Sequence, residues 1–373
     1  MRRAAAAAAA LVISTAAVCS CGPGPGLPAD LVAPGSPGVS TGYEILELTD
    51  ADLQRELTVY RDAGARWLRV DLDWPAVEPS PGAWAWDAPD RVVTAAQEAG
   101  LEVLLVPTKS PDWARARGRP QPAAFARFME SAVQRYGPRG VRAWEIWNEE
   151  NTSTFWQSPP DPAHYVRLLS DAYRIVHAAY PDAWVVFGGL APAVDDPQGR
   201  WLSPTTFLQR AYAAGAQGRF DAIGVHPYSY PATPSQSALP VRHGYRDLEG
   251  VRRALDDHGD QQVPVWVTEV GAPTGSAPRA VSPATQARIV TEAFEYARSH
   301  PGMGPVFVYS GRDRGVDPGD PELNFGMVDR DFRPKPALEA FRSQAARAPR
   351  RARRVRPRTG RCRSLMRSPR RPR

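Results

Sequence analysis

A chain of 373 residues that is 43% hydrophobic and contains 11 Trp has ample material for a packed core, which excludes a globally disordered protein. The net charge of +6 is unevenly placed: residues 347–373 hold 13 Arg and no acid, and removing them leaves −7 on residues 1–346. The basic character therefore belongs to the end of the chain, and the mildly acidic body gives no reason to expect a nucleic-acid partner.

Met1-Arg2-Arg3 followed by the apolar stretch Ala4 to Val18 is too short for a comfortable permanent membrane span and reads as a secretory signal over residues 1–21. Val18-Cys19-Ser20-Cys21 resembles a bacterial lipobox, which implies lipid attachment at Cys21; plain cleavage nearby is the alternative. The third cysteine, Cys362, lies in the Arg-rich end, so thiol catalysis and Cys-based zinc sites are excluded from the body. Residues 22–37 repeat Gly and Pro and read as a spacer. Residues 347–373 read as a disordered tail.

From residue 38 to 346 one rhythm takes over, short β-rich runs alternating with amphipathic helical runs. Strand one is expected within Val39 to Leu48, then a helix from Thr49 to Ala63 stopped by Gly64. Strand two is Trp67 to Leu72, followed by a helix from Asp87 to Gly100. Strand three is Leu101 to Pro107, with a helix from Pro122 to Tyr136; strand four is Val141 to Asn148, with a helix from Pro162 to Tyr180. Strand five, Trp184 to Gly188, precedes a helix from Pro204 to Ala214, and strand six, Phe220 to His226, one from Tyr245 to His258. Strand seven is Val263 to Glu269 with a helix from Pro283 to Ser299, and strand eight, Val306 to Tyr309, leads to a last helix from Pro336 to Ala346. Eight such units of about 40 residues match a single-domain α/β protein, the (β/α)8 TIM barrel. An open doubly wound sheet is the rival, but a glycine-rich phosphate turn after strand one is absent.

In such a barrel, chemistry sits where strands end. Strand four ends in Asn148-Glu149-Glu150 and strand seven in Glu269, on opposite sides of an eight-strand ring. Two carboxylates facing across a cleft are what glycoside cleavage needs, one delivering a proton to the leaving oxygen while the other stays ionised against the developing positive charge. A separation of about 5–5.5 Å means retention of configuration and about 6.5–9.5 Å means inversion. Strand alternation, without a bulge, puts Glu145, Trp147 and Glu149 on one face, making Glu145 a deeper structural carboxylate; Glu150 is expected at the cleft rim.

Trp147-Asn148-Glu149 after strand four, His226-Pro227-Tyr228 after strand six and Glu269 ending strand seven resemble the clan of retaining (β/α)8 β-glycosidases. Arg69 to Trp74, Val77-Glu78-Pro79 and Gly82 to Trp86 resemble family 39 and its cellulase-like relatives of family 5. The resemblance covers about residues 38–346. It implies Glu149 as acid/base, Glu269 as nucleophile, Asn148 as holder of a sugar 2-hydroxyl, Arg69 and Tyr228 as hydrogen-bond donors to the nucleophile, and His226 as a substrate-side or supporting residue. A structural ion pair of Arg69 with Glu145, and a capping role for His226, are the plainer alternatives.

Trp74, Trp113 and Trp156 fall just past strand ends, where an indole can stack on a sugar ring, and two of the three are expected to do so. The clan's strand-eight Trp is missing: Tyr309-Ser310-Gly311 leaves a wider pocket or passes the platform task to Tyr309. The six His show no ligand spacing, so no metal or cofactor is expected. The expectation is a monomeric retaining glycosidase acting on a β-linked glycan, secreted or lipid-anchored at the bacterial cell envelope. Its rival is a catalytically silent carbohydrate-binding barrel.

Overall fold

The computed structural model describes residues 26–236 and 244–349. The expected signal segment with Cys21 and residues 350–373 of the tail lie outside the described residues.

Eight parallel strands close into a barrel in the order β1-β8-β7-β6-β5-β4-β3-β2. They are β1 (Pro37–Ser40), β2 (Trp67–Asp73), β3 (Glu102–Thr108), β4 (Ala143–Asn148), β5 (Trp184–Leu190), β6 (Ala222–Val225), β7 (Val265–Val270) and β8 (Met303–Tyr309). Eight helices form the outer ring: α1 (Asp50–Asp62), α2 (Asp87–Glu98), α3 (Pro122–Tyr136), α4 (Pro162–Ala179), α5 (Pro204–Ala213), α6 (Gly244–Asp257), α7 (Pro283–Ser299) and α8 (Pro336–Ala345). Five of them open on Pro at the first turn, where its fixed φ and missing N–H cost nothing. Thr49, Asp161, Ser203 and Ser282 cap four starts by accepting a backbone N–H.

Two apolar layers hold the barrel. The large one lies between strands and helices. The smaller one fills the interior near the strand starts, where Trp67, Leu104, Ala143, Val186, Ala222, Trp266 and Phe307 converge. Leu31, 1% exposed, plugs that end, and its carbonyl accepts the Trp67 indole N–H at 2.9 Å. The stretch expected as a spacer up to residue 37 is therefore packed from Leu27 onward, because its few apolar side chains, Leu27, Leu31 and Val32, close the bottom of the barrel.

Strand one also corrects the expectation. It runs over Pro37–Ser40, and Glu44–Glu47 is a 3-10 turn, since Gly42, at φ +63°, turns the chain out of the sheet. At the other end Ala348 is buried and the Arg66 guanidinium donates to the Pro349 carbonyl, so residues 347–349 belong to the packed body and not to the tail.

Candidate active site

The site forms where β4 loses its alternation. Trp147 and Glu149 have φ of +77° and +51°, and the first of these twists the strand so that two successive side chains, Ile146 and Trp147, face the helix layer. Trp147 packs there against Phe125 and Trp156. Glu145, Trp147 and Glu149 consequently do not share a face. Asn148, still in register with Gly189, turns inward, and Glu149 follows into the mouth, anchored by its N–H to the Gly189 carbonyl at 3.0 Å.

Arg69, fully buried on β2, organises the interior. It donates to both oxygens of Glu145 (3.0 and 2.8 Å), to Asn148 Oδ1 (2.8 Å) and to Glu269 Oε1 (2.6 Å). Both readings of Arg69 therefore hold at once: it is the ion-pair partner of Glu145 and a donor to Glu269. Burial alone lowers its proton affinity, but Glu145 and Glu269 reverse this and keep it charged.

Glu269 ends β7 and accepts three side-chain hydrogen bonds. Oε1 takes Arg69 and, at 3.3 Å, Ser40 Oγ; Oε2 takes the Tyr228 hydroxyl at 2.7 Å. Burial pushes its carboxyl up, yet His226, Arg69, Tyr228 and Ser40 together outweigh that and bring it below the usual range. His226, 0% exposed, sets Nδ1 2.9 Å from Glu149 Oε1 and 3.7 Å from Glu269 Oε2. Burial pulls the imidazole down, while the charge of Glu269 and the bond to Glu149 raise it overall. One oxygen from each glutamate and a ring nitrogen of His226 lie within 4.8 Å of one another, the spacing of a metal-ligand set. With Glu269 already accepting from a guanidinium, a serine and a phenol, the set fits a hydrogen-bonded carboxylate pair better than a divalent cation.

Gly188 and Gly189 on β5 make room for two functional side chains on opposite faces. A Cβ at Gly189 would fall 2.1 Å from His226 Nε2, and one at Gly188 would fall 2.2 Å from Glu150 Oε2. Glu150 is thus fully buried behind β5 and not at the cleft rim; desolvation, with Glu145 and Glu149 adding to it, raises its carboxyl well above the usual range.

The aromatic expectations divide. Trp74 is fully buried, its ring stacked on Phe128 and its N–H on Glu78. Trp156 is buried against Trp147, His164 and Tyr165. Neither can stack on a sugar, so the expectation that two of the three would do so fails. Both follow strands through a one-turn helix that directs the indole outward. Trp113 is half-buried, fixed by its N–H to the Glu78 carbonyl at 3.1 Å, and keeps exposed surface. Gly311 does not widen the pocket, because a Cβ there would fall 2.0 Å from the Tyr60 hydroxyl of α1. Tyr309 ends β8, edge-on to Phe325, with its phenol raised by burial and by Glu44, Glu269 and Glu322. Sequence reasoning missed Ser40, Glu44, Asp71 and Glu322; alternation from Arg69 was a signal for Asp71 alone.

The search of curated proteins found no match. Among solved structures, a family 39 glycoside hydrolase from the gut symbiont Bacteroides cellulosilyticus WH2 is 25% identical with a TM-score of 0.66, covering 85% of this chain; the chain spans 64% of that protein's length. A GH39 enzyme from Xanthomonas axonopodis pv. citri (20% identity, TM-score 0.64, 86% and 69% covered) shares the fold. So does a GH5_18 protein from Streptomyces cattleya solved in complex with GlcNAc (19%, 0.64, 86% and 83%). The family model for cellulase, glycosyl hydrolase family 5, matches residues 32–307. With that match over most of the closed barrel and two glutamates ending β4 and β7, the chain belongs to glycosyl hydrolase family 5.

Proposed function

We propose that the protein hydrolyses a β-linked glycan with retention, Glu269 acting as nucleophile and Glu149 as acid/base. The observation that carries this is the approach of their carboxylate oxygens to within 4.8 Å across the barrel mouth, which matches carboxyl groups about 5–5.5 Å apart better than the wider inverting arrangement. Glu269 attacks the anomeric carbon as the glycosidic C–O bond breaks, and the departing oxygen takes the Glu149 proton. Glu149, now a carboxylate, removes a proton from water, whose oxygen attacks the same carbon and frees Glu269. Arg69 and Tyr228 keep Glu269 ionised, His226 orients Glu149 through its 2.9 Å contact, and Asn148, held by Arg69, presents its amide N–H to the sugar 2-hydroxyl. Of the aromatic side chains expected to meet the sugar, Trp113 and Tyr309 are the ones that keep exposed surface.

The two glutamates are tested separately. Glu269→Ala should abolish turnover and regain rate with azide, yielding the α-glycosyl azide, since azide replaces the nucleophile on its own face. Glu149→Ala should lose about 10²- to 10⁴-fold more on poor leaving groups than on activated aryl glycosides. Its azide product should be the β-anomer, formed from the covalent intermediate. Identical anomers from both, or wild-type activity in Glu269→Ala, would sink the assignment and favour the silent binding barrel. We place the enzyme outside the cell, a reading supported by Met1-Arg2-Arg3 and the apolar segment behind it.

A further inference from the structure

Around Glu269 the barrel mouth holds carboxylates that double displacement does not use. Asp71 lies one inward step beyond Arg69 on β2; its Oδ1 is 3.9 Å from the guanidinium and is buried without a hydrogen-bond partner. Glu44, in the turn after β1, folds back over Gly42, where a Cβ would fall 2.6 Å from its Oε2, and the Gly42 carbonyl accepts the Asp71 N–H at 3.4 Å. Glu322 comes from the loop after β8, exposed, in a turn whose next residues are tied to the chain past β7 and β8 by the Thr274 N–H on the Asn324 carbonyl and the Arg314 N–H on the Leu323 carbonyl, both 3.0 Å; burial, then the charges of Glu269, Asp320, Glu149 and Glu44, raise its carboxyl. Burial pushes Asp71 up to about 7 against the pull of Arg69, and the charges of Glu269 and Glu44 add to the rise.

The neighbouring cations are committed elsewhere: Arg69 to Glu145 and Glu269, Lys109 to Asp73 at 2.6 Å, Arg314 to Glu56 at 2.9 and 3.1 Å. An independent observation on β3 also points to a ligand. Thr108, 1% exposed and in register with Asp73, has an Oγ1 with no partner, and alternation from Leu104 of the interior layer turns it into the mouth. A buried polar atom without a protein partner calls for a ligand, an ion or an ordered water to satisfy it.

We propose that Asp71, Glu44 and Glu322 act as a charge filter on the glycone side of the cleft: Asp71 and Thr108 receive glycone hydroxyl groups, and the three carboxylates exclude a glycone carrying a carboxylate or sulfate. The inference rests on the glycosidase reading and specifies its substrate class. An anionic sugar entering here meets Glu44 and Glu322 as like charge, joined by Asp71 as pH rises past about 7, and no uncommitted cation among the described residues. A neutral or ammonium-bearing sugar meets no like charge from these carboxylates, only acceptors for its hydroxyl or ammonium protons.

The test is a series of aryl β-glycosides identical but for C6, carrying CH2OH, CH2NH3⁺ or COO⁻, in whichever of the gluco, galacto and manno configurations is turned over. Wild type is expected to prefer the neutral glycoside over its uronide by about 100-fold or more in kcat/KM. It should accept the ammonium glycoside at least as well as the neutral one. Glu322→Gln, at an exposed position, and Asp71→Asn, nearly isosteric, should each narrow the neutral-to-uronide ratio roughly 3- to 10-fold. Because both substrates are compared on one preparation, partial misfolding cancels. Turnover of the uronide equal to or better than the neutral glycoside, or a ratio unmoved in both variants, overturns the filter and leaves double displacement standing. If no glycoside is turned over, the glycosidase reading falls and calorimetric binding of the matching methyl glycosides decides the filter: tighter binding of the methyl uronide overturns it, tighter binding of the neutral methyl glycoside upholds it.

Discussion

Asp71 sets its own ionisation against the stability of the fold. Its folded value of about 7 lies above the usual carboxylate value near 3.9 of an unfolded chain, so its stabilising contribution is complete below about pH 4 and is lost as pH rises to about 7. Asp71→Asn removes a charge that burial disfavours. At pH 8 the variant should be more stable than wild type by roughly 2–4 kcal/mol, and at pH 4 equal or slightly weaker. Urea midpoints at the two pH values check this, and a variant destabilised at pH 8 would mean that Arg69 needs the Asp71 charge more than burial penalises it. Glu269 has the opposite sign: its lowered value gives stability above the unfolded value that is lost as pH falls through the folded one. The residues legible in the sequence were those whose chemistry sits in the strand motif itself, Arg69, Asn148, Glu149, His226, Tyr228 and Glu269, all brought together in the barrel mouth. Glu44 and Glu322 were not legible because turns, not strands, bring them there. Trp74 and Trp156 misled because position past a strand end does not fix which layer an indole enters.

At the scale of elements, α1 and the segment after β8 are joined by a buried cluster. Glu56 of α1 is fully buried; it accepts from Tyr60 and from Arg314 at 3.1 and 2.9 Å, with Arg312 3.6 Å away. Gly311 exists to let the chain pass over Tyr60. Removing one partner of such a set strands the others in low dielectric, so Glu56→Ala should cost about 3–5 kcal/mol. It should also raise KM, because this segment leads from Tyr309 to Glu322. Denaturant unfolding and steady-state kinetics measure both; a loss under about 1 kcal/mol would show that water reaches the cluster. The helices were readable because Pro at the first turn and Ser, Thr or Asp caps mark their starts. β1 was misread because four residues, Pro37-Gly38-Val39-Ser40, offer no apolar run to recognise. β4 was found as a strand, but its alternation was not readable, since nothing in Trp144-Glu145-Ile146-Trp147 announces a left-handed residue at Trp147.

At the scale of the molecule, the barrel has a closed end and an open one, and the chain enters at the closed end. Leu31 and the interior layer seal the strand starts, and Gly26 lies beside Asp182, just before β5 begins. Among the described residues no helix is long and apolar enough to cross a membrane. Cys21 stands five residues ahead of Gly26, at most about 18 Å of extended chain. Lipid at Cys21 would therefore hold the sealed end toward the bilayer and turn the mouth, with Glu149 and Glu269, toward envelope glycans. Cys21→Ser should move the protein from the membrane fraction to the medium. Its kcat/KM on a soluble aryl glycoside should stay within about twofold, because the site lies at the far end of the barrel. Wild-type protein found wholly in the medium, with its mature end at a residue other than Cys21, would eliminate the anchor while leaving export and the chemistry of the mouth as proposed.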